Sequence, residues 1–328
     1  MIKAPTAALR RVARPDQFTQ PDPRIQSTRT PLHRTLGCGP AWARSTITAN
    51  GCGLEAVTDL HVDVYGEGPG AVFIHGSFGW GLDTFPQQRS LADVHRLFLI
   101  DRRGFGRSPD ADLVGWPTDV EDVTGLLEEV GPAHLVGQSY GAVVALLVAG
   151  RHPELVNSIV AIEPVLFGAA RGDPRADAMI AELKPVFERA HQMNTQAFVT
   201  AWMAALGYTR EAIVDRIDGY SERDWRAAEA TRRERWPGDA PVAFDVLAAA
   251  SFPKVIVRGD WPAQRRAGRV MPAEAMQATS EAAARRSLAE LVVFEASAHN
   301  PQMEEPERFN DLLRRIWSAR LTRRCECA

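Results

Sequence analysis

Residues 134–150 read HLVGQSYGAVVALLVAG. A short apolar run with strand character ends at Gly137, a longer one with helical character begins at Gly141, and Ser139 occupies the turn between them. A residue on so sharp a strand-to-helix turn takes a strained conformation, and small residues two places to either side let the strand and helix close on each other. Ser139 would then stand above a sheet at a helix N-terminus, where developing negative charge is favoured. A serine hydroxyl is a weak nucleophile unaided, so this reading obliges the rest of the chain to supply a base and an oxyanion site.

Working outward, LHVDVYGEG (60–68) alternates apolar and polar residues as an edge strand does, and AVFIHG (71–76) reads as a short buried strand. Further strands are expected at RLFLID (96–101), AHLVG (133–137) and SIVAIE (158–163), with helices over 118–130 and 140–150. From 164 to 250 the pattern changes to helices rich in Ala, Arg and Met. The strand pattern resumes with FPKVIVRGD (252–260), a helix over 272–289, LVVFE (291–295) and a closing helix over 305–319. Alternating strands and helices predict an α/β fold: a mostly parallel sheet with helices on both faces, and ligands at the carboxyl ends of the strands. The expected organisation is a tail over 1–51, a core over 52–163 and 251–320, an inserted helical lid over 164–250, and a short tail over 321–328.

Three further segments bear on the chemistry. The strand ending in His75-Gly76-Ser77 leads into glycines that let the backbone lie against a ligand, so the amides of Ser77 and Tyr140 could converge on one substrate oxygen. His75 itself is read as a structural residue that positions this loop. DRRGFGRS (101–108) lacks the third glycine of a dinucleotide fingerprint and the Gly-Lys-Ser/Thr end of a phosphate loop, and is read as a turn held by Asp101 and the arginines. His299, in FEASAHNPQMEEPERF (294–309), lies on the loop between the last strand and the closing helix, where a base could reach Ser139.

The ordered set HGSFG, DRRGFGRS, GQSYG and SAHNPQMEEPERF resembles the α/β-hydrolase superfamily from about Leu60 to Trp317. The resemblance implies a triad of Ser139, His299 and an acid, with Ser77 and Tyr140 supplying the oxyanion hole. It leaves the acid open. Superfamily members commonly carry an Asp after the strand that is KVIVRGD here, but Pro262 stands at that place and Asp260 is offset from it. Some members, among them haloalkane dehalogenases and zearalenone-type lactonases, use a carboxylate at the end of the preceding strand, where this chain has Glu163. Glu163 is the first candidate and Asp260 the alternative. Because dehalogenases and epoxide hydrolases of the superfamily carry Asp at the elbow, and dienelactone hydrolases Cys, Ser139 points to acyl chemistry.

The expected activity is cofactor-free hydrolysis of a small, fairly apolar ester or lactone. Carbon–carbon bond hydrolysis, perhydrolysis and acyl transfer would use the same triad, and a ligand-binding protein of the same fold is the alternative from another class. Phe78, Trp202 and Trp225 are candidates for the substrate pocket, and the arginines of RDWRAAEATRRERW (223–236) are read as a solvated helix face.

Composition narrows the partners. With 38 basic and 41 acidic residues, the net charge of -3 offers no net attraction to nucleic acid or an anionic membrane. No apolar run approaches the roughly 20 residues a membrane span needs. The start, MIKAPTAALRRVARPDQ, lacks the apolar core of a secretory signal, and a cytoplasmic location is expected. The four cysteines, Cys38, Cys52, Cys325 and Cys327, lie near the termini, so neither a disulfide framework nor a metal site is expected.

Overall fold

The computed structural model describes residues 59–325 apart from 113 and 264–270. The expectations for segment 1–51, and for Cys38, Cys52 and Cys327, lie outside the described residues. Among the described residues seven strands form one sheet: β1 (Val62–Tyr65), β2 (Gly70–Ile74), β3 (Arg96–Ile100), β4 (Ala133–Gln138), β5 (Val156–Ile162), β6 (Lys254–Gly259) and β7 (Glu290–Phe294), in the order β1-β3-β2-β4-β5-β6-β7. Only β1, on the edge beside β3, runs antiparallel. The chain leaves β2 towards β3 on one side and β4 towards β5 on the other. In open α/β sheets such a reversal between two adjacent strands is where ligands bind, at the carboxyl ends.

The helices are α1 (Gly81–Thr84), α2 (Trp116–Val130), α3 (Tyr140–Arg151), α4 (Pro174–Glu188), α5 (Thr195–Ala205), α6 (Arg210–Asp218), α7 (Glu222–Arg232), α8 (Phe244–Ala249), α9 (Met271–Ser287), α10 (Pro301–Glu304) and α11 (Pro306–Cys325). The central strands read as continuous apolar runs because both faces are covered. Val72, Ile74, Phe98, Ile100, Leu135 and Ile159 pack with α2 and α3, whereas their neighbours Phe73, Leu97, Leu99, Val136 and Val160 pack with Phe309, Leu313 and Trp317 of α11. Every residue of α3 from Tyr140 to Gly150 is buried, so it is apolar all round.

Helices α4 to α8 are inserted between β5 and β6, and four of them start where local sequence dictates. Asp173, Asn194, Thr209 and Ser221 each accept a backbone N–H of the first turn, the last in a reciprocal capping box with Asp224. Three helix ends differ from the sequence expectation by two residues or more. Helix α2 begins two residues early because Pro117 fits its first turn, and α9 stops at Ser287 because Leu288 turns to φ 53°. The closing helix continues to Cys325, into the stretch read as a tail. Among the described residues no helix is long and apolar enough to cross a membrane.

Candidate active site

Ser139 sits between β4 and α3 at φ 55° and ψ -114°, and its amide donates to the Ile162 carbonyl at 2.8 Å. That conformation is costly for a residue with a β-carbon and persists only where the surroundings enforce it. The flanking glycines show how. A β-carbon on Gly141 would lie 2.1 Å from the Ile74 carbonyl oxygen, and one on Gly137 would lie 2.3 Å from the Gly141 carbonyl oxygen. The loop after β2 lies directly against this elbow, because a β-carbon on Gly76 would fall 2.8 Å from the β-carbon of Ser139.

His299 follows β7 and is held from several directions. The side chain of Gln138, the residue before Ser139, donates to the His299 carbonyl at 3.3 Å and to Asn300 Oδ1 at 3.1 Å, tying the elbow to the histidine loop. Glu304 accepts the amides of Ala298 and Asn300, and Ser297 Oγ donates to Glu305 at 2.6 Å, which accounts for the acidic pair after the histidine. Gly259 allows the end of β6 to approach, since a β-carbon there would lie 2.1 Å from the Ala298 carbonyl oxygen.

The imidazole Nδ1 of His299 lies 3.3 Å from Oε2 of Glu163. Glu163 stands at the end of β5 with φ 47° and no solvent exposure. A buried carboxylate is stable only if its oxygens are well supplied with donors. Here Gly259 N donates to Oε1 at 2.7 Å, and Trp261 Nε1 lies 3.3–3.4 Å from both oxygens. With Nδ1–H donating to Glu163, this tautomer leaves Nε2 of His299 as the basic nitrogen. The carboxylate of Asp260 pairs with Arg258 Nη1 at 3.3 Å and is 43% exposed.

Of the two candidate oxyanion donors, Tyr140 N is at the first position of α3, and Ser77 N is in the loop over the elbow. Neither amide donates to a backbone or side-chain acceptor among the described residues. The next amide, Phe78 N, is engaged by Thr231 Oγ1 at 2.9 Å. Beneath this loop Arg102 is fully buried: its guanidinium donates to the carbonyls of His75 and Gly76 and to Asp119, and it pairs with Glu234. Burial opposes the charge on Arg102, but Asp119 and Glu234 outweigh it and raise its pKa. Burial pushes the carboxyl of Glu234 up to about 7 and raises that of Asp119. Burial, with Arg102 beside it, holds the imidazole of His75 well below its usual range. Its Nε2 accepts from Arg102 N at 2.9 Å, so its Nδ1–H donates to the Gly76 carbonyl at 2.7 Å. His75 is thus a neutral structural residue of the loop.

Phe78 and Trp202 meet with ring centroids 4.6 Å apart, and both join Val199, Met203 and Ile213 in an apolar cluster of the inserted helices. Trp225 joins the same cluster, edge-on to Tyr220 at 5.0 Å.

The expectation of a solvated arginine face on α7 is corrected. Arg226 donates to the Gly106 and Ser108 carbonyls, Arg233 to Ala111, and Arg223 lies 3.9 Å over the Trp80 ring, so these arginines bind the inserted helices to the core. The turn at 101–108 also divides its labour. Asp101 accepts the amides of Gly81 and Arg107 and holds the turn, whereas Arg102 faces the interior. Sequence reasoning passed over Gln138, Trp261, Thr231 and Glu234. The oddity of a Trp where the family pattern is broken was the one available signal for Trp261.

Comparison with known proteins agrees with this architecture. A family model described as "Alpha/beta hydrolase family" matches residues 71–312. The chain is 35% identical over 108 residues to a pimeloyl-[acyl-carrier protein] methyl ester esterase of Aeromonas hydrophila, covering 31% of this chain and 41% of that protein. It is 33% identical over 134 residues to the uncharacterized hydrolase YraK of Bacillus subtilis, covering 38% of this chain and 49% of that protein. The match spans under half the length of either relative. Among solved structures, a thermophilic esterase from Thermogutta terrifontis shares the fold with a TM-score of 0.58 at 22% identity, covering 84% of this chain and 98% of that one. The enol-lactonase from Burkholderia xenovorans does so with a TM-score of 0.55 at 18% identity, covering 83% and 99%. With the family model spanning β3 to β7, the elbow and the histidine loop, the chain belongs to the alpha/beta hydrolase family.

Proposed function

We propose that this chain is a serine hydrolase that cleaves a carboxylic ester or lactone of a small, fairly apolar substrate through an acyl-enzyme. The observation that carries the reading is the strained Ser139 on its elbow, tied through Gln138 to a loop whose histidine directs Nδ1 at the buried carboxylate of Glu163. In the proposed cycle Nε2 of His299 takes the proton of Ser139 as its Oγ bonds to the substrate carbonyl carbon. The developing oxyanion is met by the amides of Ser77 and Tyr140. The carbonyl re-forms as the ester bond breaks, and His299 returns the proton to the departing alcohol. Water, deprotonated by the same imidazole, then releases the acid and restores Ser139. Glu163 accepts from Nδ1–H throughout, fixing the tautomer and stabilising the imidazolium. Phe78 and Trp202 would offer an apolar wall to the substrate.

The test is hydrolysis of p-nitrophenyl acetate and butyrate, with fluorophosphonate labelling mapped by mass spectrometry. The reading requires label on Ser139 and loss of both labelling and turnover in Ser139→Ala. A wild-type protein that neither labels nor hydrolyses either ester would overturn it.

A further inference from the structure

The segment Thr231–Arg235, from the end of α7 into the following turn, touches the residues that carry both candidate oxyanion amides. Ser77 Oγ donates to Glu234 Oε2 at 2.5 Å, and Tyr140 Oη donates to the carbonyl of Arg235 at 2.9 Å. Thr231 Oγ1 receives the amide of Phe78. The contacts are enclosed: Thr231 and Tyr140 have no exposure, and the Glu234 side chain has none. Tyr140 Oη also accepts from Trp116 N at 2.8 Å, so its phenol is held on both sides. Gly115 makes room for this approach at φ 129°, because a β-carbon there would lie 2.8 Å from Arg235 N and 2.9 Å from Tyr140 Oη.

The peptide between Gly76 and Ser77 explains what the contact accomplishes. Its carbonyl accepts from His75 Nδ1 at 2.7 Å and from Arg102 Nη2 at 3.2 Å. In a trans peptide the N–H points opposite to the carbonyl, so fixing Gly76 O on Arg102 aims the Ser77 amide away from the guanidinium. A hydrogen bond from the charged guanidinium to that carbonyl also polarises the amide as a donor. Arg102 is in turn positioned by Glu234, which uses its other oxygen on the guanidinium. One carboxylate from the inserted helices therefore holds Ser77 by its side chain and, through Arg102, by the peptide before it.

We infer that Thr231–Arg235 is the positioning element of the oxyanion hole, with Glu234 setting the Ser77 amide and the Arg235 carbonyl setting Tyr140. The inserted segment thereby acts on transition-state stabilisation. The inference rests on the serine hydrolase reading for its catalytic consequence, but not for its structural one.

The experiment compares wild type with Ser77→Ala, Tyr140→Phe, Glu234→Ala and Glu234→Gln, each checked for folding by circular dichroism. Deleting an oxyanion donor costs about 10²–10³-fold in kcat, so a misaligned one should cost roughly 10-fold or more in Glu234→Ala and Tyr140→Phe on p-nitrophenyl acetate. KM should stay within about twofold, because the loss is confined to the transition state. Glu234→Gln, which keeps an acceptor for Ser77 but not the charge on Arg102, should fall between. Hydrogen exchange by mass spectrometry should rise in peptides covering 75–80 for the Glu234 and Ser77 variants, and in those covering 139–143 for Tyr140→Phe. Should Glu234→Ala fail to fold, Ser77→Ala and Tyr140→Phe each remove a single hydroxyl and carry the test. Wild-type kcat and exchange in the folded variants overturn the inference. If the wild-type protein is inactive and Ser139 does not label, the hydrolase reading has failed, and the exchange measurement alone decides the positioning role.

Discussion

Nδ1 of His299 lies 3.3 Å from Oε2 of Glu163, a carboxylate that reaches it from the end of β5, whereas Asp260 at the end of β6 pairs with Arg258. Two carboxylates compete for the triad in sequence, and they should separate sharply in kinetics. Glu163→Gln is expected to lower kcat by about 10³–10⁴-fold, the scale on which a triad acid acts, while Asp260→Asn stays within a few-fold of wild type. Steady-state rates on p-nitrophenyl acetate check this. A collapse in Asp260→Asn with Glu163→Gln active would reverse the assignment.

Trp261 donates to both oxygens of Glu163 and lies 5.7 Å from the His299 ring, centroid to centroid. Trp261→Phe keeps an aromatic surface and removes the N–H. A hydrogen bond to a charged group is worth roughly 1.5–3 kcal/mol, and at 3.3 Å the lower end applies. The expected result is a roughly tenfold fall in kcat/KM, with labelling by a fluorophosphonate slowed in parallel.

Gly141 and Gly76 both face the elbow, but substitution at each should be felt differently. At Gly141 a β-carbon meets the Ile74 and His75 carbonyl oxygens at 2.1 and 2.5 Å, and two backbones cannot yield. Gly141→Ala should lose about 3 kcal/mol or more of stability by urea denaturation. At Gly76 the nearest atom is Gln138 Oε1 at 2.4 Å, the end of a movable side chain, followed by Ser139 Cβ at 2.8 Å. Gly76→Ala should therefore fold with a smaller loss and lose activity disproportionately.

Glu234 links stability to pH. Burial raises its carboxyl from 4.5 to about 7 against the lowering influence of Arg102 and Ser77, with Asp119 adding to the rise. The folded protein then holds a proton that the unfolded chain releases above about 4.5, so the stabilising contribution is complete below that pH and is lost as pH rises through about 7. His75 works in the opposite sense: kept neutral when folded, it contributes above the unfolded value of 6.5 and the contribution is lost as pH falls. The Glu234 effect is isolated by difference. Relative to wild type, Glu234→Gln should gain stability between pH 5 and pH 8 in urea denaturation, and a flat difference would mean that Glu234 stays ionised across that range.

The layering of the fold could be read directly from the chain. Central strands buried on both faces have to be short apolar runs, α3 enclosed on all sides has to be apolar throughout, and the turn at Ser139 admits only small residues at 137 and 141. The inserted helices announce their starts through Asp173, Asn194, Thr209 and Ser221. These are local requirements, met by residues close in sequence, and local pattern carries them.

Long-range partnership has no such signature. Glu234 in RRERW is indistinguishable in sequence from a solvated carboxylate on a charged helix, yet it is buried against Arg102, 132 residues away, and against Ser77, 157 away. Gln138 and Trp261 have the same character: an amide and an indole gain their roles only from the loop or carboxylate that folding brings within 3.4 Å. The sequence by itself determined the sheet, the elbow and the candidate nucleophile and base, because strand periodicity, glycine sterics and element order are written in neighbouring residues. Only the tertiary structure decided which carboxylate meets His299 and what holds the candidate oxyanion amides, because burial and hydrogen-bond geometry are properties of pairs distant along the chain.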